Sequence, residues 1–97
     1  MSQSLLDIAR QTIDLESRSV AALADRLGPD FERAVQALAQ TKGRVIISGI
    51  GKSAVIAQKI VATFNSTGTP AVFMHAADAI HGDLGMILPG DVVVLIS

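Results

Sequence analysis

Gly49-Ile-Gly-Lys-Ser53 is the first stretch of this 97-residue chain whose residue types could do chemistry. It follows the apolar run Arg44-Val-Ile-Ile-Ser48 and precedes a helical pattern, so it reads as a tight strand-to-helix turn. Such a turn brings backbone close to an anion at a helix start. Lys52 adds positive charge where the helix dipole is already positive, an arrangement that an anionic ligand would justify. The alternative for Lys52 is a solvated lysine on a loop. A second group, His75, Asp78, His81 and Asp83, could move protons or ligate a metal. His81 is read either as an acid–base group or as a ring anchored by Asp83, and the two roles are compatible. His75 by itself says little about a metal, which needs three or four ligands. A third stretch, Gly68-Thr69-Pro70, has turn chemistry, with Gly68 supplying a positive φ.

Two familiar phosphate motifs can be weighed against the first turn. A P-loop requires a glycine five residues before Gly51, and that position is Ile46, inside the strand. The cradle cannot form. Gly49-x-Gly51-x-x-Ala54 matches the dinucleotide fingerprint in the right strand-to-helix context. That reading also asks for an acidic residue at the end of the next strand, where Met74-His75 stands and Asp78 follows only within the loop. It stays open beside an anion-binding turn.

The elements that must position these residues follow from periodicity. Leu6, Ile13, Val20 and Leu27 recur every seven residues, with Ala9 and Leu23 between them, predicting a long helix ended by Gly28-Pro29. Its apolar stripe is either a core face or a dimer seam. Asp30 to Gln40 predicts a second helix with Phe31, Ala34, Val35 and Leu38 inward. Arg44–Ser48, Ala71–Met74 and Asp91–Ser97 read as strands buried on both faces, and Ala54–Asn65 as a helix apolar nearly all round. A helical turn is expected around Ala76–Ile80. Strand–helix–strand–loop–strand implies an α/β fold with a parallel sheet. Residues 1–42 form a helical segment and residues 43–97 the first part of the sheet, with the third strand read as the point where the chain is truncated.

Composition narrows the classes further. The apolar fraction of 49% suits a packed core rather than a disordered segment. A net charge of −1, no basic run, three Phe and neither Trp nor Tyr argue against a nucleic-acid partner. Asp7 and Arg10 interrupt the first apolar stretch, which argues against a signal peptide or a membrane span, so a cytoplasmic protein is expected. Residues 1–42 hold 11 charged side chains and the remaining 55 only six. The later part is therefore expected to face more protein, as an oligomer or against a missing remainder.

Three segments together carry a family resemblance: Ser48-Gly-Ile-Gly-Lys-Ser53, Ala62-Thr-Phe-Asn-Ser-Thr-Gly-Thr-Pro70 and Ala79-Ile-His-Gly-Asp-Leu-Gly-Met86. In this order and spacing they resemble the arabinose-5-phosphate isomerases, built on the sugar isomerase (SIS) domain. The resemblance implies a flavodoxin-like parallel sheet with helices on both faces. It implies sites assembled between subunits of a homo-oligomer, a dimer or tetramer. The implied reaction interconverts D-arabinose 5-phosphate and D-ribulose 5-phosphate for Kdo synthesis, feeding lipopolysaccharide or capsule, with no organic cofactor. By position, Lys52 matches a lysine proposed as catalytic and His81 a substrate-contacting position, and a catalytic role is expected of both. Gly68 and Thr69 match substrate-contacting positions and His75 a histidine that can ligate a divalent metal, while Gly49, Gly51 and Ser53 are expected to bind substrate through the turn they form. Ala54 and Val55 depart from the Gly and His of some relatives, and Asp78 stands where Glu is common. Family members continue with a phosphate loop, further acid–base residues and usually CBS modules, so residues 1–97 alone are expected to be inactive. The other functional class is a non-catalytic SIS module that binds a phosphosugar as sensor or regulator.

Overall fold

The computed structural model describes residues 2–97, apart from the side chain of Asp83. The chain divides into two compact units, the first ending at Arg33 and the second running from Ala34 to Ser97.

In the first unit, helix α1 spans Leu5–Ala22. Ser4 starts it: its backbone is extended and its Oγ accepts the Asp7 N–H at 3.0 Å, satisfying one of the orphan donors. Asp7 in the first turn suits the dipole. The expected helix to Leu27 stops earlier, because Leu23–Arg26 winds as a tighter 3-10 turn and Leu27 is extended. Last turns often tighten this way when their carbonyls lack regular partners. Pro29 then opens helix α2, Pro29–Gln40, one residue ahead of expectation. Proline loses nothing there, since the first N–H of a helix has no intrahelical acceptor. None of the α1 stripe is buried: Ile13 and Val20 are each 67% exposed.

The second unit is organised around strand β1, Val45–Gly49, in which every residue is buried. Strand β2, Ala71–His75, and strand β3, Val92–Leu95, flank it in the order β2-β1-β3. Both pairings are parallel, with Val45 level with Ala71 and Val92, and Gly49 level with His75. Helix α3, Lys52–Ser66, connects β1 to β2 and packs on both. The core is Val45, Ile47, Ala57 and Ala71, covered by Leu38, Ile60, Val61, Phe64, Phe73, Val94 and Ile96.

Two expectations are corrected. Strand β3 is shorter than Asp91–Ser97, and its side chains alternate half-buried and exposed instead of being buried on both faces. It pairs with β1 alone, and an edge strand has nothing beyond it to cover Val93 and Leu95. Helix α3 begins at Lys52 rather than Ala54, and its apolar back is uncovered, with Val55 67% and Ile56 55% exposed. Its all-round apolar character is therefore not matched by burial within this chain.

The amino edge of the sheet is tightly tied. The Asp91 carboxylate accepts the Arg44 N–H at 2.7 Å, the Leu88 N–H at 2.8 Å and the Arg44 guanidinium at 3.2 Å. The same guanidinium donates to the Met86 carbonyl at 2.6 Å. Thr41 Oγ1 donates to the Gly90 carbonyl at 2.6 Å. The Leu88 N–H first, then the Arg44 N–H and side chain, hold the Asp91 carboxyl below its ordinary value. Gly43 fits only because it lacks a side chain: a Cβ there would stand 2.6–2.7 Å from Asp91 Oδ1 and the Gly90 backbone.

A five-residue helix α4, Ala76–Ile80, follows β2 directly. A 3-10 turn at Asp83–Met86 then leads back toward β3. Helix α4 coincides with the helical turn expected around Ala76–Ile80, and the 3-10 turn is an addition to it.

Candidate functional site

Strand order decides where a ligand could lie. The connection from β1 runs to β2 on one side, and the chain next joins the sheet on the other side of β1, at β3. Carboxyl ends of strands at such a reversal form the crevice where open α/β sheets bind ligands. Here that crevice lies beyond Ser48 and Leu95, which are level, and the Ile96 N–H donates to the Ser48 carbonyl at 2.9 Å.

The turn from Gly49 to Lys52 leaves β1 at this point. Gly51 is the N-cap of α3 with φ 60° and ψ −131°, a conformation closed to other residues. Nothing lies within 4 Å of its would-be Cβ, so the space above the turn is open. Gly49 is needed for a different reason: a Cβ would meet the Ser53 carbonyl carbon at 3.0 Å and its oxygen at 3.1 Å. The strand end and the first turn of α3 are therefore in close backbone contact. Lys52 is the first helical residue and exposed, and Ser53 is half-buried. No side chain caps this helix and no acidic residue sits in its first turn. The Ala54 N–H donates to the Gly51 carbonyl at 3.1 Å, and the remaining first-turn N–H groups with one ammonium suit a phosphate or a developing oxyanion.

His75 ends β2 level with Gly49, so the two connections leave the sheet side by side. The His75 ring is half-buried, edge-on to Phe73 at 6.2 Å, and its Nδ1 accepts the Ala77 N–H at 3.1 Å. His75 is thereby the N-cap of α4, a role its sequence position did not suggest. His81 is the exposed C-cap of the same helix, its N–H donating to the Asp78 carbonyl at 3.0 Å. The expected Asp83 partner of His81 lies outside the described side chains. Lys52 and His81 thus stand on connections that start from the carboxyl ends of adjacent strands.

The metal expected at His75 does not fit the residues described. Its Nδ1 lone pair is already engaged, which leaves the ring proton on Nε2, the wrong tautomer for ligation there. Among the described residues no group of three His, Asp or Glu could complete a site.

Gly68 and Thr69 are not brought to this edge. They precede β2 at its amino end, separated from Lys52 by the whole of α3, about 22 Å at 1.5 Å per residue. Gly68 has the predicted positive φ, 95°. The Thr69 N–H closes the helix end on the Phe64 carbonyl at 2.8 Å. Asn65 pairs with both backbone groups of Ala71, at 2.8 and 3.0 Å, tying the helix end to β2. An apolar groove of about 360 Å³ nearby, lined by Val35, Leu38, Ala39, Phe64 and Thr69, includes neither Lys52 nor either histidine. Its single polar wall residue makes it unsuited to a phosphorylated sugar.

Comparison with known proteins bears on the family and the fold. The SIS domain matches residues 37–97. The chain is 53% identical over all 97 residues to the Escherichia coli K12 protein named arabinose 5-phosphate isomerase GutQ, of which it covers 30%. A solved structure from Listeria monocytogenes superposes with TM-score 0.87 at 32% identity, over 99% of this chain and 52% of that one. Another, a protein of Escherichia coli CFT073 in complex with arabinose 5-phosphate, gives TM-score 0.76 at 38% identity, over 98% and 52%. The chain thus spans under a third of the curated relative and about half of each solved structure.

Proposed function

Since the chain belongs to the SIS domain family, we propose that it forms the leading part of an isomerase interconverting D-arabinose 5-phosphate and D-ribulose 5-phosphate. The observation that carries this reading is Lys52 in first helical position at the sheet's reversal point, within a chain 53% identical throughout to a protein bearing that activity in its name. Aldose–ketose isomerisation moves a proton between neighbouring carbons through an enediolate, so it needs a base, an acid–base group for ring opening and positive charge at the oxyanion. Lys52 and the open N–H groups of the α3 turn supply the charge. His81 supplies an imidazole, a side chain that can both donate and accept a proton. Phosphate grip and the carbon base come from residues beyond this chain's span of the relatives, next to β3.

Gly68 and Thr69 join such a site only from another copy, because their own chain holds them at the opposite edge of the sheet. This supports a homo-oligomer with shared sites, as do the uncovered backs of α1 and α3. No described helix is long and apolar enough to cross a membrane. On this reading the protein acts in the cytoplasm and needs no organic cofactor.

The test is a coupled assay on arabinose 5-phosphate with the full-length protein and with residues 1–97 alone. Turnover is expected from the first and none from the second. Full-length protein that binds the sugar phosphate without turning it over would make it a sensor module instead.

A further inference from the structure

We infer that His75 is a positioning residue that sets His81 by capping α4, and not a metal ligand. The inference rests on the reading of His81 as a substrate-contacting group. Three observations carry it. Helix α4 has only five residues, with Ala76, Ala77 and Ala79 half-buried and none fully buried, so helical propagation contributes little and its start depends on a cap. Its one side-chain cap is His75 Nδ1, on the Ala77 N–H at 3.1 Å. His81 is the residue that closes the same turn, with its own N–H on Asp78 and the Gly82 N–H on Ala79 at 3.3 Å.

The His75 ring is also well fixed. It projects from the last residue of a strand paired level with Gly49, and Phe73 stands edge-on to it at 88°. A rigid cap at one end of a single helical turn thus determines the orientation of the residue at the other end. Occupation of Nδ1 by a metal would remove this cap and release the turn that carries His81. The two roles exclude each other at that nitrogen, and at Nε2 the capped tautomer presents a proton.

Asparagine separates the roles, because it is among the best N-caps yet a poor zinc ligand. In the full-length protein, His75→Ala is expected to lower kcat about fivefold to tenfold with a smaller change in KM. His75→Asn should recover to within about threefold of wild type, the residual loss reflecting the missing ring. Overnight chelation with EDTA should leave wild type and both variants unchanged. Thermal melts run alongside should show both variants folded at the assay temperature, which a merely structural loss in His75→Ala would not.

Equal loss in the alanine and asparagine variants would overturn the inference, as would loss on chelation that added zinc restores. Full activity in His75→Ala would overturn it too. A different failure is diagnosed by His81→Ala: wild-type turnover in that variant would remove His81 from the site and with it the premise, whatever His75 does.

Discussion

The two edges of the parallel sheet are built on opposite plans. At the amino edge, polar groups are paired within the chain: Asp91 accepts from Arg44 and Leu88, Thr41 reaches Gly90, and Asn65 takes both backbone groups of Ala71. At the carboxyl edge, the N–H groups starting α3 have no capping side chain, Lys52 is exposed, and the space above Gly51 is open. Satisfied polar groups hold a fold together but offer nothing to a ligand, whereas unsatisfied donors at a helix start do. On the proposed reading, this chain's tight polar pairing serves stability at the amino edge, while its own Lys52 and His81 serve a ligand from the carboxyl edge. Substitutions should therefore separate the two cleanly.

The largest expected effect is at the open edge. Lys52→Ala in the full-length protein should lower kcat/KM about 100-fold or more while leaving the melting temperature within a few degrees. Wild-type turnover would return Lys52 to a solvated lysine and erase the functional half of the contrast. Next, Gly43→Ala forces a Cβ against the Gly90 backbone, which cannot yield as a flexible side chain could. Urea unfolding should show a loss of about 1–3 kcal/mol, with activity per folded molecule retained. A neutral result would mean that the amino edge can open without cost.

The smallest effect is expected from Asp91→Asn, and it should depend on pH. The folded carboxyl titrates below its ordinary value, so its contribution is fully present above the unfolded pKa and fades as pH falls through the folded one. The stability gap between wild type and Asp91→Asn should thus be widest near neutrality and close in acid. A gap constant with pH would show that shape rather than charge makes Asp91 useful there.

Much of this frame was legible in the sequence because it is local. The apolar run at Val45–Ser48 marked a strand buried on both faces, and it is the central one. Gly68 needed a positive φ and has one. The same reasoning misjudged β3, whose equally apolar run lies at an edge. Composition reports what a strand could bury against, and only the sheet reports what is there. Helix α3 shows the same gap, since its exposed Val55 and Ile56 are apolar for a cover this chain does not supply. The resemblance implied for His75 a histidine that can ligate a metal, and the fold gives it the further role of a cap on the Ala77 N–H. Sequence position offered no signal of this cap, because histidine is not among the preferred N-cap residues.

Side-chain periodicity and glycine placement were enough to outline most of the elements and their turns, and the family resemblance of three segments implied which residues could meet a sugar phosphate. Periodicity and glycine placement act over a few residues, so the linear chain carries them in full. Which of those residues share an edge emerged only from the folded sheet. It put Lys52, His75 and His81 on connections from the carboxyl ends of neighbouring strands, and sent Gly68 and Thr69 to the other end of α3. It also joined Arg44 to Asp91 across 47 residues. The physical reason is that strand order and parallel register are set by packing between distant segments, and no local pattern encodes which distant segment will be the neighbour.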